Sequence, residues 1–378
     1  TYTFNGNTYT SSYCFIALQN LLKVKFNKIF LFLTKASRLA YEDDIKKYLS
    51  DELLEIINIS DGKTIEEIWK LFDEVVDAGN KIDDEDEVKV YLDITNGFRH
   101  LPLVLYNSLS YLESLNKVKI EGIYYGALEA KSGNDIPVFD LTNLSKILRG
   151  SYAVKQFEES GNISGIKAFV NGAIFENTKV NPERSIIKYE FDVFQNLFTS
   201  GLPLESGIEA KNLVSKIDKR FPTTGLKSTE ELIKRVYDKL NEVAVLEKPK
   251  KNNIVLCKEE LNRTLRFIKW ELDTHNTANA LLLLREWIIS RVMLSKGEIE
   301  NWIDKAKREK TEKLLGLFSF NHNYFKNHIG YKFIHNWRYL TERRNEYAHG
   351  GYRIDRVDID KGYEKAKEFF ELCKENIE

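Results

Sequence analysis

The stretch Glu87–Pro102, EVKVYLDITNGFRHLP, decides how the N-terminal part of the chain folds. Val88, Val90 and Leu92 alternate with polar residues, which predicts a β-strand. Small polar residues and a glycine follow, and a helical pattern of leucines begins after Pro102. A strand that turns sharply into a helix exposes backbone N–H groups that favour an anion such as phosphate. We therefore predict an anion-binding turn at the carboxyl end of a strand, where ligands bind in open α/β sheets.

Strand and helix patterns alternate on both sides of this turn. We predict a hairpin at 2–10, strands at 28–34, 53–59, 118–126 and 136–141, and helices at 12–25, 41–50, 65–78 and 103–115. The run 28–34 is almost continuously apolar, as in a strand that is buried on both faces, and it ends in a second polar exit at Thr34. The alternation predicts a Rossmann-like α/β domain with a mainly parallel sheet.

From about Thr142 the strand patterns nearly stop and helical patterns replace them. We expect three parts: an α/β domain at 1–159, a mainly helical linker or inserted region at 160–253, and an all-α domain at 254–378. The fold class is thus α/β plus all-α. The chain begins at Thr1 without Met, and we expect that further residues, including a strand, precede it.

The composition limits the class of protein. The chain has 378 residues, of which 43% are hydrophobic and 30% charged, as in an ordinary globular protein. A net charge of −1 provides no overall field for nucleic acid, so an RNA would need a local basic patch. No apolar run reaches the roughly 18 residues of a membrane span, so we expect no membrane contact.

Metal and disulfide chemistry are not expected. The three cysteines form no CxxC pair, which argues against a disulfide framework and a zinc site and favours a reducing cytoplasm. His322 and His328 have no carboxylate or cysteine at a zinc-like spacing. The acidic run 83–87 could hold a cation, but a solvated loop is the favoured interpretation.

The candidate for catalysis is Arg344 with His349, near a helix end that runs into Gly350-Gly351. Five residues place these side chains about 140° apart around a helix, so both reach one cleft only if the helix end changes shape. A histidine can transfer protons near neutral pH, and an arginine can stabilise charge on phosphate oxygens, which suits RNA cleavage without a metal. Two copies related by symmetry would supply two histidines, so this interpretation implies a homodimer.

Structural roles remain open for the same residues. An arginine and a histidine near a helix C-terminus oppose the helix dipole, and their spacing also occurs by accident. Basic residues interspersed with aromatic ones suit single-stranded RNA, but also a helix packed by its aromatic face. This basic set is Lys326, Lys332, Arg338, Arg343, Arg344, Arg353 and Arg356. For Glu286, a structural pair with an arginine is favoured over catalysis.

Two motifs resemble those of one known family. The stretch Asp93-Ile94-Thr95-Asn96-Gly97 resembles the DxTHG motif of CRISPR-associated CARF proteins, with Asn96 in place of the histidine. Arg344, Asn345 and His349 resemble the Rx4-6H motif of HEPN ribonucleases, including the asparagine that often follows the arginine. The order of an α/β domain before an all-α domain also matches. The chain therefore resembles the CARF–HEPN ribonucleases, which are accessory effectors of type III CRISPR defence.

The resemblance implies a function. Paired CARF domains would bind a cyclic oligoadenylate, most simply cyclic tetra-adenylate, as an allosteric activator. Paired HEPN domains would then cut single-stranded RNA without a metal and leave 2′,3′-cyclic phosphate ends. The implied catalytic residues are Arg344, Asn345 and His349. The implied ligand residues are Thr34, Lys35, Asp93, Thr95, Asn96, Gly97, Phe98 and Arg99.

Two alternatives stay open. One is a ring nuclease that degrades cyclic oligoadenylate at Thr95–Arg99, and the change to Asn96 leaves undecided whether the CARF side cleaves its ligand. The other is a ligand-sensing regulator without ribonuclease activity, whose segment 183–243 would contact DNA, although that segment has no clear recognition helix.

Overall fold

The computed structural model describes residues 1–82, 88–175, 183–218, 227–246, 250–320, 331–348 and 357–377. The chain divides into two compact units, Thr1–Lys146 and Ile147–Glu378. The division comes earlier than the predicted boundary at 159, because Ala153, Val154 and Phe157 are buried in the core of the second unit. The acidic run 83–87 lies outside the described residues.

The first unit follows the predicted alternation, but the helix predicted at 41–50 spans Lys35–Ile45 instead, because the Thr34 side chain caps its start. Its elements are β1 (Tyr2–Phe4), β2 (Asn7–Tyr9), α1 (Cys14–Leu22), β3 (Ile29–Leu33), α2 (Lys35–Ile45), β4 (Leu54–Asn58), α3 (Ile65–Asn80), β5 (Val88–Asp93), α4 (Leu101–Ser114), β6 (Val118–Gly126) and β7 (Ile136–Asp140). The hairpin turns through Asn5 and Gly6, whose φ values of 48° and 78° fit the two central positions of a type I′ turn. The predicted hairpin is therefore confirmed.

The strands form two sheets in the described part of the first unit, not the single sheet that was predicted. One sheet has the order β2-β1-β7-β6-β5, and the other is the pair β3-β4. The pairs β1–β7, β3–β4 and β5–β6 are parallel, so the prediction of mainly parallel pairing is confirmed. Helix α4 packs against both sheets. Its Leu101 and Val104 cluster with Phe32 and Ile57 of β3–β4, and its Leu109 packs on β5–β6.

The second unit is helical throughout its described part, apart from turns. The division between the units falls within α5 (Thr142–Ser160). The helices after α5 are α6 (Ser164–Phe175), α7 (Glu183–Thr199), α8 (Pro203–Asp218), α9 (Lys227–Val243), α10 (Lys258–Asp273), α11 (Thr277–Ser295), α12 (Lys305–Phe320), α13 (Tyr331–Ala348) and α14 (Ile359–Glu375). Helix α6 was not predicted. Gly165 weakens its helical pattern, yet the close approach of Ala153 needs that glycine, since a Cβ there would lie 2.8 Å from the Ala153 Cβ.

A mainly helical linker or inserted region was predicted at 160–253, and the described helices of this segment belong to the second compact unit. These helices share one apolar core with α10, α11, α13 and α14. Phe198 of α7 lies 4.4 Å from the ring of Trp270 in α10, measured between ring centroids. Sequence patterns identify helices but not which of them share a core, because that depends on contacts between distant residues. Within the described residues, no helix is both long and apolar enough to cross a membrane.

Candidate functional site

The predicted turn between β5 and α4 is held together by its own side chains. The Thr95 backbone N–H donates to Asp93 Oδ1 over 2.9 Å, and the Thr95 hydroxyl donates to the same oxygen. The Gly126 N–H, at the end of β6, donates to Thr95 Oγ1 over 2.8 Å. The Thr95 hydroxyl therefore joins the exits of two neighbouring parallel strands, and its hydrogen bonds hold the shape of the turn.

Asp93 and the buried Cys14 are neighbouring ionisable groups at this turn. Burial raises the pKa of Asp93, against the hydrogen bonds from Thr95 that lower it. Burial also raises the pKa of the neighbouring Cys14 thiol to about 12, with the charge of Asp93 acting in the same direction. Since a nucleophilic cysteine needs a lowered pKa, Cys14 is a structural residue here.

The outer part of the turn is exposed and offers backbone donors. Asn96, Gly97, Phe98 and Arg99 are all exposed to solvent. The backbone N–H groups of Asn96, Gly97 and Phe98 have no acceptor among the described residues. The φ of Gly97 is 124°, a conformation that other residues rarely adopt, so the glycine shapes this row of donors.

The first turn of α4 itself provides little for an anion. The Leu101 N–H donates to the Phe98 carbonyl oxygen over 3.0 Å, and Pro102 has no N–H. The backbone N–H groups without an acceptor among the described residues therefore lie before the helix and not in its first turn. Consecutive backbone N–H groups in such a turn can form a concave site for an anion.

His100 is a site residue that sequence reasoning missed. It precedes α4, and its ring stacks on Phe98 with centroids 5.9 Å apart and an interplanar angle of 6°. Its Nε2 atom is buried and has no hydrogen-bond partner among the described residues. A Cβ on Gly62, in the loop after β4, would lie only 2.3 Å from that atom, so the exits of β4 and β5 meet at His100. The position of His100 directly before the helix was the only local signal for it in the sequence. Its contact with Gly62 joins residues that are distant in the chain, so a local pattern could not predict it.

Thr34 and Lys35 follow β3, which belongs to the two-stranded sheet and not to the sheet that contains β5. Strand β3 pairs with β4, whereas β5, which ends at Asp93, pairs with β6. The strand before Thr34 is therefore not hydrogen-bonded to the strand that ends at Asp93. The Thr34 side chain is 6% exposed and its Oγ1 accepts from the Ser37 N–H over 3.2 Å, which caps α2. Lys35 is exposed at the first position of that helix. The structure thus gives Thr34 a capping role and leaves Lys35 accessible.

In the helical unit, Arg344 lies on the inward face of α13. Phe333, Trp337 and Leu340 are buried at helical spacing, and Arg344 follows one turn later on the same face. Arg344 is partly buried, and its Nε has no hydrogen-bond partner among the described residues. Asn345 is also partly buried.

His349 lies outside the described residues, as do Gly350 and Gly351. The structure therefore describes the arginine of the predicted catalytic pair and not the histidine. Helix α13 ends in the description at Ala348, one residue before His349. The sequence pattern also predicts a helix over 331–348, and α13 has the same bounds.

A network of ion pairs lies next to Arg344. Arg285 of α11 pairs with the adjacent Glu286 and with Glu312 of α12. Arg308 of α12 donates to Glu286 Oε2 over 2.7 Å. The predicted pairing of Glu286 with an arginine is confirmed, although the glutamate is partly exposed. Burial and the positive charge of Arg285 lower the pKa of Arg344, and the two glutamates act in the opposite direction.

No group of three or more metal-binding side chains occurs within the part of the chain that the structure describes. Independently of any metal, a partly buried arginine such as Arg344 can stabilise negative charge on phosphate oxygens.

Similarity to known proteins is concentrated in the first unit. Residues 1–129 match the family model described as "CRISPR system endoribonuclease Csx1, CARF domain". The chain is also similar to the CRISPR-associated protein MJ1674 of Methanocaldococcus jannaschii, with 35% identity over 140 residues. The similarity covers 32% of this chain and 22% of that relative. Residues 1–129 thus form a CARF-like domain of the kind found in CRISPR-associated proteins, and an all-helical region follows it.

Proposed function

We propose that the protein is a ligand-gated endoribonuclease that cuts single-stranded RNA in type III CRISPR defence. The observation that carries this proposal is the match of residues 1–129 to the CARF domain of a CRISPR endoribonuclease. The all-helical second unit, with the partly buried Arg344 on α13, is compatible with a ribonuclease domain of the HEPN kind. We infer that ligand sensing and RNA cleavage reside in different units.

The sensing step would use the turn after β5. A cyclic oligoadenylate, with cyclic tetra-adenylate as the first choice, brings phosphates that the free backbone N–H groups of Asn96, Gly97 and Phe98 can bind. Arg99 adds an exposed positive charge. Phe98 is 53% exposed, and its ring offers a face on which an adenine can stack.

The cleavage step would be an internal transesterification. The 2′-oxygen of a ribose attacks the adjacent phosphorus, and the bond from phosphorus to the 5′-oxygen breaks. One His349 removes the proton of the 2′-hydroxyl, and the His349 of a second copy protonates the departing 5′-oxygen. Arg344 stabilises the negative charge on the other phosphorus oxygens, and Asn345 orients the pair. The products are a 2′,3′-cyclic phosphate and a 5′-hydroxyl, and no metal takes part.

The two steps require a homodimer with two arrangements. A ligand can favour only a state that it binds more tightly, so the active arrangement must be the one with the higher affinity for the cyclic oligoadenylate. The histidine of each copy would then complete the site of the other.

Cleavage of a labelled RNA in EDTA tests this proposal. We expect cleavage that increases with cyclic tetra-adenylate, products with 2′,3′-cyclic phosphate ends, and loss of cleavage in Arg344→Ala. The exposed Arg235 of α9, whose side chain pairs with Glu158, provides a control in Arg235→Ala, which should keep the activity. Cleavage that survives in Arg344→Ala, or that stops in EDTA, would contradict the proposal.

A second candidate is cleavage of the cyclic oligoadenylate at the turn itself. The observation that favours it is the buried Nε2 of His100 next to Phe98, which has no partner within the described parts of the chain, since histidine transfers protons near neutral pH. Intact RNA beside linearised ligand, with the ligand left cyclic by His100→Ala, would support this second candidate over the first.

A further inference from the structure

We propose that Arg344 and the ion-pair network of Arg285, Glu286, Arg308 and Glu312 form one phosphodiester-binding subsite, in which Arg285 positions Arg344 by holding the two glutamates. We call these five residues the arginine cluster. The identity of the bound anion as an RNA phosphate rests on the proposed function, but the cluster can be tested as an anion site without any cleavage.

Helix packing brings the arginine cluster together. The guanidinium of Arg285 lies over the ring of Trp337 in α13, 5.7 Å from its centroid. Arg344 follows Trp337 and Leu340 on the same inward face of α13. The charges of Arg285, Glu286 and Glu312 all act on the Arg344 guanidinium, in agreement with this packing.

The arginine cluster contains three guanidinium groups and two carboxylates, so one positive charge is unmatched. Arg285 is shared between both glutamates, and Arg308 takes the second oxygen of Glu286. Arg344 has no ion pair with a described carboxylate, and burial lowers its pKa, as expected for a cation deprived of water. A partly buried cation without a partner is unfavourable unless an anion binds to it.

Arg285 explains why the glutamates do not neutralise Arg344. It is only 7% exposed, and its two terminal nitrogens each hold one carboxylate, while its Nε is buried without a partner among the described residues. Arg308 is anchored independently, because it also donates to the Ser290 hydroxyl and to the Glu286 carbonyl oxygen, over 3.2 and 3.0 Å. If Arg285 were absent, Glu312 would be free to pair with Arg344 and would compete with phosphate.

The two members of the Arg285–Glu312 pair should therefore have opposite effects. The full-length protein would be titrated into a fluorescein-labelled single-stranded DNA oligonucleotide, which has phosphodiesters but lacks the 2′-hydroxyl needed for cleavage. We expect Arg344→Gln and Arg285→Met to weaken binding about tenfold, and Glu312→Gln to strengthen it by about the same factor. The double variant Arg285→Met with Glu312→Gln should return close to wild-type affinity.

Salt dependence gives a second measurement. Removing one phosphate contact from a single strand should reduce the slope of log affinity against log salt by about 0.7, so Arg344→Gln should show this smaller slope. Circular dichroism would check that each variant is folded. If Arg285→Met does not fold, Glu312→Gln and Arg344→Gln still decide the question, because the proposal requires them to change affinity in opposite directions.

The outcomes separate this inference from the proposed function. Weaker binding in both Arg285→Met and Glu312→Gln would mean that the pair is only structural, and an affinity unchanged by Arg344→Gln would also overturn the inference. If RNA stays intact under every condition while the oligonucleotide affinities move as expected, the subsite stands and the nuclease proposal fails. If RNA is cut and these affinities do not move, the nuclease proposal stands and the subsite is refuted.

Discussion

The two units differ in how completely the buried polar side chains that the structure describes are hydrogen-bonded. In the CARF-like unit, Asp93 and Thr95 satisfy each other and close the turn, and His100 Nε2 is the one buried side-chain atom without a partner among the described residues. The helical unit contains all the other such atoms that the structure describes. They belong to Glu190, Trp270, Glu271, Arg285, Tyr339, Arg343 and Arg344.

This difference matches the two sites that we propose, one in each unit. Buried polar groups without partners oppose folding, so such groups within the described residues, among them Arg285 and Arg344, call for an explanation other than stability. The first unit uses its side chains to shape a turn and offers backbone N–H groups. The second leaves charged side chains incompletely paired. The following predictions test this contrast, from the largest expected effect to the smallest.

The largest effect is expected at the helical unit. His349→Ala should reduce RNA cleavage by about 10²- to 10⁴-fold, because a general acid–base group contributes that much. Binding of cyclic tetra-adenylate, measured by calorimetry, should stay unchanged, since the turn after β5, where we propose that it binds, belongs to the other unit. Cleavage at the wild-type rate would remove His349 from the mechanism.

Buried charge in the helical unit should also make its stability depend on pH. Glu271 is fully buried, Asn279 donates to its Oε1 over 3.3 Å, and burial raises its pKa from 4.5 to about 7. Between pH 4.5 and about pH 7, Glu271 loses its proton in the unfolded chain and keeps it in the folded protein. The free energy of unfolding therefore falls as pH rises. Glu271→Gln keeps the neutral form, so its stability relative to wild type should grow by roughly 3 kcal/mol from pH 4.5 to pH 7.

Urea unfolding followed by tryptophan fluorescence would measure this change, because four of the five tryptophans, all except Trp69, lie in the helical unit. Glu364→Gln, at an exposed position of α14, serves as the control, and its stability relative to wild type should not change with pH in this way. A difference between Glu271→Gln and wild type that is constant over the pH range would contradict the prediction.

At the sensing turn, two neighbouring residues should separate folding from binding. Thr95→Val removes the hydroxyl between Asp93 and the Gly126 N–H, which should destabilise the turn by about 1–3 kcal/mol and speed hydrogen exchange at the Gly126 amide. Asn96→Ala changes an exposed side chain, so exchange should stay as in wild type while activation by cyclic tetra-adenylate weakens. Unchanged activation in Asn96→Ala would mean that the turn is not the sensor.

The smallest effect concerns the contact between Gly62 and His100. Both Gly62 and Gly133 have positive φ, at 70° and 60°, but only a Cβ on Gly62 meets another residue, the His100 ring. Alanine at either position strains the backbone by about 1 kcal/mol, and at Gly62 it must also displace His100. A lower thermal midpoint for Gly62→Ala than for Gly133→Ala is expected. Equal midpoints would show that His100 moves aside freely.

Local signals in the sequence predicted much of the first unit. The Asn5-Gly6 turn, the strand at 118–126 and the exposed turn at Asn96–Arg99 were all correctly placed, because each depends on adjacent residues. Contacts between distant residues could not be predicted in the same way. They include the split into two sheets and the contact of His100 with Gly62.

At the helical unit the sequence singled out Arg344 by its motif, but not its surroundings. Arg285 and Glu312 lie on other helices, and their proximity to Arg344 results from how α11, α12 and α13 pack. Glu286 was recognised as a partner for an arginine because an acidic residue in an apolar helix needs one. The bounds of α13 were thus predictable from the local pattern, and the charge balance of the cluster was not.

The central claim is that a cyclic oligoadenylate bound at the turn controls RNA cleavage in the helical unit. The most direct measurement is the cleavage rate of a fluorophore-quenched single-stranded RNA in EDTA, with cyclic tetra-adenylate, cyclic hexa-adenylate, linear tetra-adenylate or no ligand. The account predicts a marked rise with one cyclic ring size, expected to be cyclic tetra-adenylate, and none with the linear form. The same cleavage rate under all four conditions, or intact RNA although a cyclic ligand is bound, would contradict it.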